Sequence, residues 1–232
     1  RPLQLTVLRR LSSGTTAEVV TVDGADRALV VIPDIWGLRP LFSDMCEELS
    51  RRTGWSVGSF EPFGSRKLPP ADDPEGFAQR SAALRELDDA TLLGDAVATA
   101  DALGVAEVGL IGFCMGGMYA LKASANSRFD RIVGFYGMIR VPADWTGAGQ
   151  GQPLEALAAR GDTEVMAVVG TEDAWTPPDD VRNLEAAGVT VVRYAGADHG
   201  FVHDPTRPAH RPDDAADAWQ RALAFLAGSD TA

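Results

Sequence analysis

Seven short strand-like runs recur along the chain, separated by stretches with helical spacing. Ala17-Glu18-Val19-Val20-Thr21-Val22 alternates and is β-branched. Asp23-Gly24 supplies a turn after it, which predicts a hairpin with residues 28–33. Ala28-Leu29-Val30-Val31-Ile32 is apolar throughout, as expected of a strand covered on both faces. A helix is predicted from about Pro40 to Arg52, closed by Gly54. A short strand over 55–60 then runs into a Pro/Gly-rich loop, 62–76. A long helical region is predicted over 77–103, with Ala83, Leu84, Leu87, Leu92, Leu93, Ala96 and Val97 on its apolar face. Strands follow at 107–113, 131–136, 165–169 and 189–194, and an amphipathic helix closes the chain from Ala215 to Ala227. Between them, 138–163 reads as irregular, its Gly147-Ala148-Gly149-Gln150-Gly151 stretch unable to pack and forming a mobile excursion. Thr176 reads as an N-cap, with proline at the first helical position.

Strands alternating with helices predict an α/β fold with a mostly parallel central sheet and helices on both faces. No repeat or linker interrupts the pattern, so one domain is expected over residues 1–232, with its core at about 15–228. Composition narrows the partners. A net charge of −12 argues against nucleic-acid or anionic-membrane partners. No apolar run approaches the ~18 residues of a membrane span, and no signal peptide is read at the start, so a cytoplasmic protein is expected. The two cysteines, Cys46 and Cys114, form no C-x-x-C pair. Cys46 lies on an amphipathic helical stretch and is expected to pack, which leaves one thiol for chemistry.

That thiol sits in Gly112-Phe113-Cys114-Met115-Gly116-Gly117, after an apolar strand and before a helical stretch. Strand, glycine-flanked nucleophile and helix make the context of a nucleophile elbow, with cysteine in the serine slot. The residues two before and two after must be small, and Gly112 and Gly116 are. The first turn of the helix favours a thiolate. The turn alone is equally compatible with a packed thiol. Asp173 and His199 decide the matter: each follows a strand, and Cys114, Asp173, His199 is the order of nucleophile, acid and histidine along the chain. Histidine can take the thiol proton and return it to the leaving group, and a carboxylate can hold the imidazole in place. Glu172 is a rival for the acid. No metal is expected at His199 and His203, because Gly200 opposes a helix there and no H-E-x-x-H occurs. The oxyanion donors are expected to be the backbone N–H groups of Met115 and, from the loop after the early strand, Ile35.

The cysteine elbow, together with Asp34-Ile35-Trp36-Gly37, Gly170-x-x-Asp173 and His199-Gly200-Phe201, resembles the dienelactone hydrolase (carboxymethylenebutenolidase) family. The resemblance runs from about residue 15 to the end. It implies an α/β-hydrolase fold, no cofactor, a Cys114–His199–Asp173 triad, and hydrolysis of a small ester or enol-lactone through an acyl-cysteine. It also implies a thiol-modulating role for Asp34, which stands where the family has a glutamate. The family's carboxylate-binding arginine shortly after the histidine is here His203; Arg80 and Arg207 are candidate substitutes. Trp36, Tyr136 and Phe201 are expected to wall the substrate pocket. A thioesterase or acyltransferase would use the same triad, and a non-catalytic binding protein on this scaffold would lack one of its members.

Overall fold

The computed structural model describes residues 6–229. Eight strands form one sheet in the order β1-β2-β4-β3-β5-β6-β7-β8. They are β1 (Val7–Arg10), β2 (Thr16–Val20), β3 (Arg27–Ile32), β4 (Ser56–Phe60), β5 (Glu107–Phe113), β6 (Arg131–Phe135), β7 (Glu164–Gly170) and β8 (Thr190–Tyr194). Seven α-helices occur among the described residues: α1 (Pro40–Thr53), α2 (Gly76–Leu84), α3 (Asp89–Ala102), α4 (Met115–Ala123), α5 (Pro153–Ala159), α6 (Pro178–Ala186) and α7 (Pro212–Leu226). The chain divides into two compact units, with a boundary inside β5. One runs to Gly109 and includes Val141–Gly151; the other takes Leu110–Arg140 and the chain from Gln152 on.

In the first unit, β3 and β4 pair in parallel, while β1–β2 and β2–β4 are antiparallel. Every residue of β4 is buried, so both of its faces are covered; α1 and α3 pack against it. α1 ends at Gly54, which adopts the left-handed conformation (φ 75°) expected of a closing glycine. In the second unit, β6, β7 and β8 run parallel, with α4 and α7 on β6 and α6 on β8. Cys46 is buried, and burial pushes its thiol pKa far above the ordinary value. It is an inert packing group.

Four expectations change. The turn at Asp23-Gly24 forms, with Ala25 N–H donating to Val22 O, yet no hairpin follows. β2 pairs with β1 and β4, and β3 lies on the far side of β4. An all-apolar strand needs neighbours and covered faces, which an interior position supplies and a meander would not. The long helix of 77–103 is two helices. Asp88 is in extended conformation and accepts from the Thr91 N–H at 3.0 Å, so its side chain restarts the helix after a break at 85–88. The glycine-rich stretch packs: Asp89 N–H donates to Gly149 O, Gly151 N–H donates to Asp89 Oδ2, and Gln150 Nε2 donates to Leu84 O and Trp145 O. A Cβ on Gly147 would lie 1.8 Å from Arg85 O, so the missing side chain is what permits the approach. Finally, Thr176 is no cap. α6 starts at Pro178 after Pro177, and the Thr176 hydroxyl is buried without a partner.

Candidate active site

Cys114 stands immediately after β5 and immediately before α4. Its backbone is at φ 57°, ψ −118°, one of two non-glycine residues at positive φ among those described. Such a conformation costs on the order of 1–3 kcal/mol and persists where its surroundings enforce it. They do so here through two 3.0 Å hydrogen bonds: Cys114 N–H donates to Phe135 O, and Cys114 O accepts from Met118 N–H. The glycines make the turn possible. A Cβ on Gly112 would fall 1.9 Å from Gly116 O, and one on Gly117 would fall 2.7 Å from Phe135 O. The Met115 N–H opens α4 and has no acceptor within the helix.

Asp173 follows β7 and is wholly enclosed; His199 follows β8 and keeps 11 % of its side chain exposed. His199 Nδ1 donates to Asp173 Oδ2 at 2.8 Å, and Asp173 Oδ1 accepts the Trp175 N–H at 2.8 Å. Each carboxylate oxygen thus has one partner in this loop. Glu172, the rival acid, is exposed. His199 Nε2 is buried without a hydrogen bond of ordinary geometry, and the group that acts on it is Cys114. Burial alone would pull the imidazole pKa down. The charge and hydrogen bonding of Cys114, joined by those of Asp173, outweigh that, and His199 rises from 6.5 to about 10.

The supporting ring is Tyr136, the second residue at positive φ (40°), just after β6. Its ring packs edge-on against His199 at 5.3 Å, and its hydroxyl shares a 2.5 Å hydrogen bond with His203 Nδ1. His203 is itself buried and stacked on Phe113 at 4.8 Å, so its ring is packed rather than exposed. Tyr136 and Phe201 are fully buried, their rings 5.7 Å apart, behind the histidine loop. Arg207 lies across Gly200, where a Cβ would meet its Nη1 at 2.4 Å.

In the first unit, Asp34 follows β3 and is buried. It binds Arg39 through both oxygens, at 2.7 and 2.9 Å, and accepts the Trp36 N–H. Arg80 is buried too: Nε donates to Pro69 O, Nη1 donates to Ile35 O, and the guanidinium stacks over Trp36 and Phe63. Glu61, directly after β4, accepts from the Leu38 and Phe63 N–H groups, and burial raises its pKa against those bonds. It shapes the Trp36 loop and was missed in the sequence, although it follows a strand just as Asp173 and His199 do. Arg39 had no local signal, since an i,i+5 ion pair in a loop follows no period. Among the described residues, no cluster of three metal-ligating side chains occurs, and no helix is long and apolar enough to cross a membrane.

The family profile described as "Dienelactone hydrolase family" matches residues 16–229, nearly the whole chain. The chain belongs to the dienelactone hydrolase family. It is 30% identical over 224 residues to a Synechocystis protein provisionally named carboxymethylenebutenolidase, covering 90% of this chain and 88% of the relative. It is 29% identical over 212 residues to the carboxymethylenebutenolidase of Rhodococcus opacus, covering 88% and 81%. A crystal structure from Klebsiella pneumoniae, provisionally named dienelactone hydrolase, superposes with a TM-score of 0.83 at 23% identity, over 98% of this chain and 99% of that one. The fold is therefore that of the α/β-hydrolases, and the protein is a hydrolase of carboxylic esters or lactones.

The raised histidine gives this hydrolase a pH-dependent stability. The folded pKa lies above the ordinary value, so the His199 contribution is fully present below about pH 6.5 and is lost as pH rises toward 10. Denaturant unfolding of the wild type and of His199→Gln checks this. The wild-type advantage should shrink steadily across that window; a difference that stays constant from pH 6 to pH 10 refutes the shift.

Proposed function

We propose that this dienelactone hydrolase family member cleaves a small ester or enol-lactone through an acyl-cysteine on Cys114. The observation that carries the reading is the strained Cys114 elbow beside a histidine whose other ring nitrogen is held by Asp173. His199 takes the thiol proton, and the thiolate attacks the carbonyl carbon. The tetrahedral oxyanion is stabilised by backbone N–H groups, for which Met115 and Ile35 are the proposed donors. The bond from carbon to the leaving oxygen breaks, and that oxygen takes the proton from His199. Water, deprotonated by His199, then attacks the thioester. The carboxylic acid leaves and the thiol is restored.

In the first unit, Arg80 holds the Ile35 carbonyl, and Asp34 is bound through both oxygens by Arg39. These contacts support a role for that loop in presenting the Ile35 N–H. A thiol-modulating role for Asp34, which stands where the family has a glutamate, is proposed with it. Trp36 and Arg80 are the proposed substrate-side residues of that loop.

The test is to trap the intermediate. With an aryl ester that acylates fast and deacylates slowly, acid quenching followed by intact-mass measurement and peptide mapping should find one acyl group, on Cys114. Rapid turnover with no adduct, or with the adduct on another residue, overturns the acyl-cysteine.

A further inference from the structure

Trp175 belongs to neither the core nor the triad, yet the triad's own carboxylate places it. Asp173 Oδ2 holds His199 and Asp173 Oδ1 holds the Trp175 backbone, so the two rings hang from one side chain. The indole lies 6.3 Å from the imidazole, centroid to centroid, at a 51° tilt. It is 39 % exposed, one of four large apolar side chains left open to solvent among those described. A single exposed apolar residue calls for no explanation on its own. Its position beside the proton donor does.

The chemistry says which part of a substrate meets it. His199 must reach the leaving oxygen within hydrogen-bond distance to return the proton. The substituent on that oxygen begins one bond further out, at the separation of a ring packed beside the imidazole. The acyl carbon, by contrast, stays bonded to sulfur after its bond to the leaving oxygen has broken. We infer that Trp175 forms a leaving-group subsite, taking the aromatic ring of an aryl ester or of an aryl-conjugated enol-lactone in offset or edge-to-face contact. This rests on the acyl-cysteine reading above and adds to it the chemical class of the alcohol portion. An aliphatic leaving group offers the indole no ring, so it gains little.

The experiment compares phenyl acetate with ethyl acetate, which share one acyl group, in the wild type, Trp175→Ala and Trp175→Phe. kcat/KM reports through acylation, where the leaving group is still attached; hydrolysis of the acetyl-enzyme is common to both substrates. Trp175→Ala should lower kcat/KM for phenyl acetate about tenfold, leave ethyl acetate within about twofold, and leave the deacylation rate unchanged. Trp175→Phe should recover most of the phenyl acetate loss. Equal falls for both esters, a shifted pH profile, or a slower deacylation would mean that the residue only positions Asp173, and would overturn the subsite. Unchanged aryl selectivity would overturn it as well. The acyl-cysteine itself stands or falls by the mass of the trapped adduct, so the two failures are distinguishable.

Discussion

Cys114→Ala should reduce ester and lactone turnover by at least about 10⁴-fold while leaving the folded protein intact. The removed sulfur is small, and the residue is 8 % exposed at a turn whose shape is set by backbone hydrogen bonds and flanking glycines. The fold therefore survives, less the part of the His199 stabilisation that Cys114 supplies, and the lost rate reports the loss of the proposed covalent step. Serine is the sharper substitution. Cys114→Ser keeps the size and the neighbouring histidine, but a hydroxyl is far harder to ionise than a thiol, so the anion that raises His199 is gone. Activity should fall nearly as far as in the alanine variant, and the His199 imidazole should titrate closer to 6.5, as read from its NMR signal across pH. Turnover that survives alanine at more than about a tenth of the wild-type rate would remove Cys114 from the mechanism.

The second large effect needs no change to any reactive group. Gly112→Ala adds one methyl, and that methyl would lie 1.9 Å from the Gly116 carbonyl oxygen, a backbone atom of the helix that begins one residue after the nucleophile. A side-chain tip could swing away; a backbone carbonyl at the start of α4 can move only by carrying the elbow with it. The expected cost is about 1–3 kcal/mol or more in stability. A displacement of the thiol by ~1 Å should take a further factor of about 10² from kcat/KM in whatever protein remains folded. Gly94→Ala is the control, in the same chain and in the exposed middle of α3, where an added Cβ meets nothing within 4 Å. That substitution should stabilise by about 0.5–1 kcal/mol, with activity unchanged. Urea unfolding and kcat/KM on both variants separate the outcomes. A wild-type-like Gly112→Ala would show that the elbow has slack.

The placement of the candidate site residues was legible because it is written locally. Cys114, Asp173 and His199 each follow an apolar run and a glycine-marked turn, so their places at strand ends could be read without knowing which strands pair. Pairing is where reading failed. The Asp23-Gly24 turn forms as expected, but β2 finds its partner β4 across more than thirty intervening residues, and no pattern inside β2 specifies that partner. The break between α2 and α3 was hidden for a related reason. Apolar spacing continues through it, and the signal that overrides the period is one capping carboxylate, Asp88. The glycine-rich stretch was misread because the absence of side chains looks like the absence of packing. At Gly147 it is the condition for packing, since the Arg85 carbonyl takes the space. His203 shows the limit for sites: the sequence names the residue that replaces an arginine, and only the fold reveals its ring to be bonded to Tyr136 and stacked on Phe113.

Cys114 and Tyr136, the two non-glycine residues at positive φ, are joined through a single peptide. The Cys114 N–H donates to the carbonyl of Phe135, and that carbonyl belongs to the peptide bond leading into Tyr136. Neither residue would keep this backbone in a loose chain. On the acyl-cysteine proposal, the thiol's reactivity is therefore conditional on tertiary structure and not a possession of the cysteine. A newly made, damaged or half-degraded copy would then carry an ordinary side chain that neither captures acyl groups nor wastes them, and the reagent would come into being only when the fold forms around it.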